Sequence, residues 1–111
     1  MKSRLAKLIR LLAVLPVFLP APVLPAEIVE VKIADYKFVP DKLTIKPGTT
    51  VKWLNQEKRT SHSVHFGKEG LAESDRMFPG ESWQRTFDKL GTYPYTCGPH
   101  PEMTGVVEVS K

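Results

Sequence analysis

Three residues that can bind a soft metal ion lie within one seven-residue segment near the end of the chain. Cys97, His100 and Met103 occupy positions i, i+3 and i+6, a spacing that fits a compact loop at one end of a sheet. A thiolate, an imidazole and a thioether form a soft ligand set that suits copper. The segment therefore predicts a copper-binding loop whose remaining ligand comes from another strand.

The remaining ligand is expected to be one of the two other histidines of the chain, His62 and His65. Their odd spacing places them on opposite faces of a predicted strand. His62 shares its face with the apolar residues Val64 and Phe66, whereas His65 shares its face with serines such as Ser63. We therefore expect His62 to point inward as the fourth ligand and His65 to lie at the surface.

Each of these residues also has a purely structural interpretation. A lone cysteine is often a small buried hydrophobe, a methionine usually fills the core, and a histidine in a strand is usually only hydrogen-bonded. The concentration of three such residues in one short loop, together with an inward histidine, favours the metal site. Met77 is the alternative axial methionine, but it lies outside the loop that holds Cys97 and His100, so we expect it in the core.

The positive charge of the chain is confined to its first part. The formal net charge is +4, and the basic residues of positions 1–26, which contain no acidic residue, account for all of it. Residues 27–111 are therefore formally neutral. A nucleic-acid-binding domain normally carries a basic excess on its folded part. The charge distribution thus argues against nucleic acid as a partner.

Residues 1–26 have the layout of a secretory signal peptide. A cationic stretch ends at Arg10, an apolar run covers Leu11 to Leu19, and Ala26 is a small residue of the kind that precedes cleavage. A membrane anchor is the alternative, but the uncharged stretch is shorter than the roughly 20 residues of a membrane span and prolines interrupt it. We expect cleavage after Ala26 and a periplasmic protein with no membrane span.

The predicted mature domain, residues 27–111, is near the lower size limit for a self-sufficient core. Exported domains of this size often contain disulfides, but Cys97 is the single cysteine, so no internal disulfide can form. A bound metal is then the expected cross-link.

The pattern of residues 27–111 is that of short strands separated by turns. In the first strand, for example, Val29, Val31 and Ile33 alternate with charged residues. Seven or eight such strands favour an all-β fold, an antiparallel sandwich or barrel. The segment from Gly67 to Phe78 is the least patterned, and we expect a loop with a short helical turn. The other predicted strands begin or lie near residues 42–46, 51–53, 61–66, 82–87, 93–97 and 105–109.

Residues 27–111 resemble the cupredoxins, and among them the amicyanin-like small blue copper proteins. The resemblance implies a Greek-key β-sandwich of the cupredoxin type, with His62, Cys97 and His100 as equatorial ligands and Met103 as the weak axial ligand. The short ligand loop is the specific element. The matching segments are Phe38-Val39-Pro40, Pro47-Gly48, Val51-Lys52-Trp53-Leu54-Asn55, His62-Ser63-Val64-His65-Phe66, Gly91-Thr92-Tyr93 and the Cys-x2-His-x2-Met loop.

The ligand set and the resemblance together predict a periplasmic one-electron carrier with one copper ion that cycles between Cu(I) and Cu(II), and not an enzyme. The expected partners are redox proteins, such as a c-type cytochrome or a periplasmic dehydrogenase, that dock transiently near His100 on a monomeric protein. A periplasmic copper carrier or storage protein is the main alternative. A structural zinc domain and a Cys-His hydrolase are weaker alternatives, because methionine does not suit zinc and a domain this small leaves little room for a substrate cleft.

Two positions depart from the family pattern. Ser63 stands where the family commonly has an asparagine that ties the two ligand loops together, and a serine hydroxyl reaches less far. Glu102 stands where amicyanin-like proteins typically have a large apolar residue, and Lys58 and Arg59 are expected near the same end of the domain. The charged character of this end weakens the case for methylamine dehydrogenase as the partner.

Overall fold

The computed structural model describes residues 13–19 and 27–111 of the chain. Residues 13–19 contain no helix or strand, and no helix in the described residues is long and apolar enough to cross a membrane. Most of the predicted signal peptide and the predicted cleavage site after Ala26 lie outside the described residues. The fold is therefore that of residues 27–111.

Seven strands and one short 3-10 turn make up this part of the chain. The strands form a four-stranded sheet in the order β2-β1-β4-β5 and a three-stranded sheet in the order β3-β7-β6. The predicted all-β sandwich or barrel is thus confirmed as a fold of two sheets. The strands are β1 (Ile28–Ala34), β2 (Lys37–Val39), β3 (Lys42–Ile45), β4 (Thr49–Asn55), β5 (Ser82–Phe87), β6 (Gly91–Thr96) and β7 (Thr104–Val109), and the 3-10 turn is Gly67–Glu69.

Strand direction follows from the way in which the chain passes between the sheets. β1 and β4 are parallel, and so are β3 and β7, whereas the other three pairs are antiparallel. Parallel neighbours require a long crossover connection. Here the chain leaves the first sheet after β2, contributes β3 to the second sheet, and returns as β4 beside β1.

The core lies between the two sheets and is rich in aromatic rings. In β1 the alternation predicted from the sequence is observed, because Val31 and Ile33 are fully buried whereas Glu30 and Lys32 are exposed. Trp53 on the central strand β4 packs edge-on against Phe66 and Tyr95, with ring centroids 6.0 and 5.3 Å away. Such edge-to-face packing stabilises the core between the two sheets.

The predicted strand from Ser61 to Phe66 is not a strand. This segment makes only two single bridges, His62 with Met77 and His65 with Thr96. The alternation of buried and exposed residues fails here because His62, Ser63 and Val64 are all buried in succession. The expectation that Ser63 faces outward is therefore wrong, and its burial places it beside the ligand loop.

The segment from Gly67 to Phe78 is the predicted loop with a helical turn, and a charged contact fastens it to the sheet. Glu69 in the 3-10 turn accepts two hydrogen bonds, of 2.7 and 2.8 Å, from the Arg85 guanidinium on β5. The same guanidinium lies 4.4 Å from the ring centroid of Phe66 and 4.5 Å from that of Phe87. The charge pair thus covers one side of the aromatic core.

We predict that Glu69→Gln destabilises the protein at neutral pH and that the loss disappears in acid. The Arg85 hydrogen bonds lower the pKa of Glu69 below its ordinary value of 4.5. The pair therefore stabilises the fold above that pH, and the stabilisation is lost as the pH falls through the lower folded-state pKa. We expect a loss of about 1 kcal/mol or less at pH 7, measured by urea unfolding of the copper-free protein.

The control for this experiment is Glu30→Gln, which removes an exposed carboxylate that forms no ion pair among the described residues. It should have little effect at either pH. An equal loss for Glu69→Gln at neutral and acid pH would mean that the contact stabilises by packing and not by charge.

Candidate metal centre

The side chains of three predicted ligands, His62, Cys97 and His100, lie close together beside the end of β6. The Cys97 sulfur lies 3.6 Å from His62 Nδ1 and 3.6 Å from His100 Nδ1. The three ligand atoms all lie within 4.8 Å of one another. His62 and Cys97 are fully buried, whereas His100 is partly exposed. The arrangement therefore has a closed side and an accessible side.

These separations fit a shared metal ion. Bonds from a transition metal to imidazole nitrogen and thiolate sulfur are about 2.0 and 2.3 Å long. Two such bonds that meet at about 120° leave nitrogen and sulfur about 3.7 Å apart, close to the two observed distances. One thiolate and two imidazoles in this arrangement are the equatorial set of blue-copper sites. The residues therefore fit copper.

The loop that carries Cys97, His100 and Met103 connects β6 to β7 and is closed at its base. The Cys97 amide donates to the Met103 carbonyl oxygen at 3.0 Å, and the Met103 amide donates to the His100 carbonyl oxygen at 2.9 Å. Thr96 and Thr104, on either side, are paired in the sheet. Met103 is buried, with 3% of its surface exposed. The predicted i, i+3, i+6 loop is thus compact, and its backbone brings Met103 directly against Cys97.

The fully buried Asn55 at the end of β4 fixes the loop that leads to His62. Its side-chain amide donates to the carbonyl oxygens of Thr60 and Met77, both at 2.9 Å, and its side-chain oxygen accepts the Glu57 amide at 2.9 Å. The side chain therefore replaces the backbone pairing that a strand would supply. This matters because the segment up to His62 has no regular structure.

Glu57 determines which nitrogen of His62 faces the site. The Glu57 carboxylate lies 3.3 Å from His62 Nε2 and accepts the Tyr36 amide at 2.7 Å. A carboxylate only accepts, so Nε2 carries the proton and Nδ1 keeps its lone pair for a metal. Burial lowers the pKa of His62, although the Glu57 hydrogen bond partly offsets this effect. The imidazole is therefore neutral and ready to bind at neutral pH.

Tyr36 lies edge-on to both imidazoles. Its ring centroid is 5.4 Å from that of His62 and 5.0 Å from that of His100, at interplanar angles of 85° and 82°. Asp35 and Tyr36 form the turn between β1 and β2 and have positive φ values of 51° and 55°. That conformation suits a tight hairpin but is uncommon for a tyrosine. The turn thus places a half-exposed aromatic ring over the accessible side of the site.

The two residues that were expected to lie outside the site behave differently from each other. His65 is partly exposed and pairs through its backbone with Thr96. Met77 is buried in the hydrophobic core, and its backbone exchanges two hydrogen bonds with His62. Met77 is therefore close to His62, a predicted ligand, in the fold although it is distant in the sequence.

Sequence reasoning missed three residues that contact the predicted ligands or the segment that leads to His62, namely Asn55, Glu57 and Tyr36. Each is joined to the site by hydrogen bonds or ring contacts across loops. Asn55 lies in a segment that carried the family resemblance, which was the one available signal. Tyr36 lies in a turn and Glu57 in an irregular segment, and neither has a periodic pattern, so no sequence rule identified them.

Comparison with known proteins agrees with this geometry. Residues 26–110 match the family described as copper binding proteins of the plastocyanin/azurin family. The chain belongs to that family. It is a cupredoxin that binds one copper ion and carries electrons between redox proteins, and it is not an enzyme.

Individual relatives support the assignment. Amicyanin-alpha of Methylorubrum extorquens is 40% identical over 89 residues, which cover 77% of this chain and 74% of that protein. Amicyanin of Paracoccus versutus is 38% identical over 89 residues, 77% of this chain and 67% of that protein. A solved Cu(I) structure of an amicyanin variant superimposes with a TM-score of 0.70 at 35% identity and covers 75% of this chain and 82% of its own. These comparisons give no support to the alternative of copper storage.

We predict that Glu57→Ala weakens metal binding by about 10- to 100-fold, because an outer carboxylate that orients a histidine ligand typically contributes this much. The affinity is measured by competition with a chelator for Cu(II). Glu102→Ala is the matched control, since it removes an exposed carboxylate from the ligand loop itself. If the two variants lost affinity equally, nearby negative charge and not orientation of His62 would explain the effect.

Proposed function

We propose that His62, Cys97 and His100 are the equatorial ligands and Met103 the axial ligand of a type 1 copper centre. The observation that carries the proposal is the pair of 3.6 Å distances from the Cys97 sulfur to the two Nδ1 atoms. The buried position of Met103 in the same closed loop supports its assignment as the fourth ligand. When bound, copper supplies a one-electron Cu(I)/Cu(II) couple.

The protein contributes a ligand arrangement that is already formed. Asn55 and Glu57 hold His62, and the closed loop holds Cys97, His100 and Met103. A soft thiolate with two imidazoles suits both oxidation states, so little rearrangement accompanies electron transfer. No polar cleft for a substrate is required for this function.

The accessible side of the centre is the proposed docking site for redox partners. His100 and Pro99 are partly exposed, Pro101 is exposed, and half of the Tyr36 surface is exposed. Electrons would pass through the side that His100 presents, because His62 is fully buried. Partners would bind transiently through a small interface of this kind.

A c-type cytochrome or a periplasmic dehydrogenase is the proposed class of partner for a monomeric carrier. Residues 27–111 are formally neutral, so strong global steering is not expected. Lys58, Arg59 and Glu102 are all exposed, so local charge of both signs is available to orient an encounter.

The proposed location is the periplasm. The basis is the leader, residues 1–26, in which a cationic stretch precedes an apolar run and a small residue at position 26. Removal of the leader after Ala26 would release residues 27–111 as the mature copper domain.

The ligand assignment predicts the effects of single substitutions on the visible spectrum. Cys97→Ser should abolish the intense thiolate-to-copper band of the Cu(II)-loaded protein, because Cys97 is the only thiolate. Met103→Leu should keep the band and raise the reduction potential, since the loss of a donor favours the lower metal charge. Absorption spectra and voltammetry measure both effects.

Met77→Leu is the matched control for the axial ligand, because Met77 is the other buried methionine near His62. It should leave the spectrum and the potential unchanged. A blue Cys97→Ser protein, or a potential that responds to Met77→Leu and not to Met103→Leu, would contradict the assignment.

Copper should also stabilise the fold. The proposed ligands come from two segments far apart in the sequence, and no internal disulfide is possible with one cysteine. A ligand that binds only the folded state raises the free energy of unfolding by linkage, about 4 kcal/mol at a free concentration 1,000 times its dissociation constant. Calorimetry of the copper-loaded and copper-free proteins should show a higher melting temperature with copper. Equal melting temperatures would argue against a tight site.

A further inference from the structure

Ser63 contacts the ligand loop in two places. Its amide donates to the Cys97 sulfur at 3.4 Å, and its hydroxyl oxygen accepts the Gly98 amide at 2.9 Å. The same hydroxyl donates to Glu73 Oε1 at 2.6 Å. One buried serine therefore connects the thiolate, the residue after it and a carboxylate from the long loop.

The directions of these hydrogen bonds are determined by chemistry. An amide only donates and a carboxylate only accepts, whereas a hydroxyl has a single proton and two lone pairs. Because Glu73 takes the proton of the Ser63 hydroxyl, the lone pairs remain for the Gly98 amide. Without the carboxylate, the hydroxyl would be free to rotate its proton toward other acceptors.

Glu73 is held where it can do this. Its neighbour Ser74 is paired with Val64: the Ser74 amide donates to the Val64 carbonyl oxygen, and the Val64 amide donates to Ser74 Oγ, both at 2.9 Å. Arg76 Nε also donates to Glu73 Oε1 at 3.3 Å. The loop therefore runs beside the segment that carries Ser63 and presents the carboxylate to it.

Gly98 leaves room for the carboxylate. A Cβ atom on residue 98 would collide with the carboxyl group of Glu73. The carboxylate therefore packs directly on the backbone of the ligand loop as well as on Ser63. Its place beside Gly98 is available only because residue 98 has no side chain.

We propose that Glu73 is a positioning residue of the copper site, which acts through Ser63 to hold Gly98 and so fixes the thiolate of Cys97. This inference rests on the proposed ligand set, in which Cys97 is the thiolate ligand. The Ser63 and Glu73 pair thus performs the function for which a serine alone is too short, namely tying the two ligand segments together. A nearby carboxylate also favours the higher metal charge and lowers the reduction potential.

Two variants of Glu73 separate position from charge. Glu73→Gln keeps an oxygen that can accept from Ser63 but removes the charge, whereas Glu73→Ala removes both. Both variants should stay blue with Cu(II) and have a raised reduction potential. In the Cu(I) protein, hydrogen exchange of the Gly98 amide should be about five- to tenfold faster in Glu73→Ala, as expected for loss of one hydrogen bond, and nearly unchanged in Glu73→Gln.

The Thr96 amide is the internal reference, because it donates to the His65 carbonyl oxygen at 3.0 Å and not to the Ser63 network. Faster exchange at Gly98 with unchanged exchange at Thr96 would exclude general loosening of the fold. Asp75→Ala is the matched control, since it removes an exposed carboxylate from the same loop. It should leave the exchange of the Gly98 amide unchanged.

A double-mutant cycle tests the path through Ser63. Ser63→Ala alone should accelerate exchange at Gly98 as much as Glu73→Ala does, and Glu73→Ala should add nothing in the Ser63→Ala background. Unchanged exchange at Gly98 in Glu73→Ala, or a full further effect in the Ser63→Ala background, would overturn the proposal. If the unsubstituted Cu(II)-loaded protein showed no blue band, that result would contradict the proposed ligand set and not the role of Glu73.

Discussion

The site depends on how a segment without regular secondary structure is held against a hairpin loop. Residues 56–66 carry one proposed ligand, His62, and residues 97–103 carry the other proposed ligands. Neither sheet extends through the first segment, so its position is fixed by individual hydrogen bonds from buried polar groups. Asn55 satisfies three backbone groups, and single backbone bridges pair His62 with Met77 and His65 with Thr96. Removing any one of these would leave buried polar groups without partners, which is costly in a small core.

The buried position of Cys97 imposes a second constraint. As a copper ligand Cys97 would be a thiolate, and its charge would lie at the end of a core made of aromatic and aliphatic side chains, where it would need compensation. Pro99 has no amide proton to donate, so within the described residues the one backbone amide that donates to the sulfur is that of Ser63. The metal supplies the remaining compensation when it is bound. The Cys97 sulfur, Ser63 and the Glu73 carboxylate are therefore connected by hydrogen bonds. The Ser63 amide donates to the sulfur, and the Ser63 hydroxyl donates to the carboxylate, which can only accept.

The sequence predicted the parts of the fold that follow a period and the parts of the site that are close together in the chain. The strand at residues 82–87 has the predicted bounds, and the hairpin loop from Cys97 to Met103 is compact as its spacing indicated. The strand predicted at residues 61–66 was wrong. Apolar residues alternate along this segment as they would in a strand, but its backbone makes only isolated bridges and side-chain hydrogen bonds hold it in place. The roles of Glu57 and Glu73 were not predictable, because each acts across a loop whose path has no periodic signal.

The two imidazoles are chemically equivalent but have different surroundings. One side of the site is therefore closed and the other is accessible. His62 is enclosed, and Glu57 fixes its proton on the nitrogen that faces away from the sulfur. His100 lies in the hairpin loop at the partly exposed side. Tyr36 touches both rings from a strained turn, and its own amide is held by the carboxylate that orients His62. The Glu57 carboxylate thus contacts both His62 and the backbone of Tyr36, whose ring lies over His100. Because a strained backbone persists only where its surroundings determine it, the hydrogen bond from the Tyr36 amide to Glu57 links the conformation of this turn to the carboxylate that orients His62.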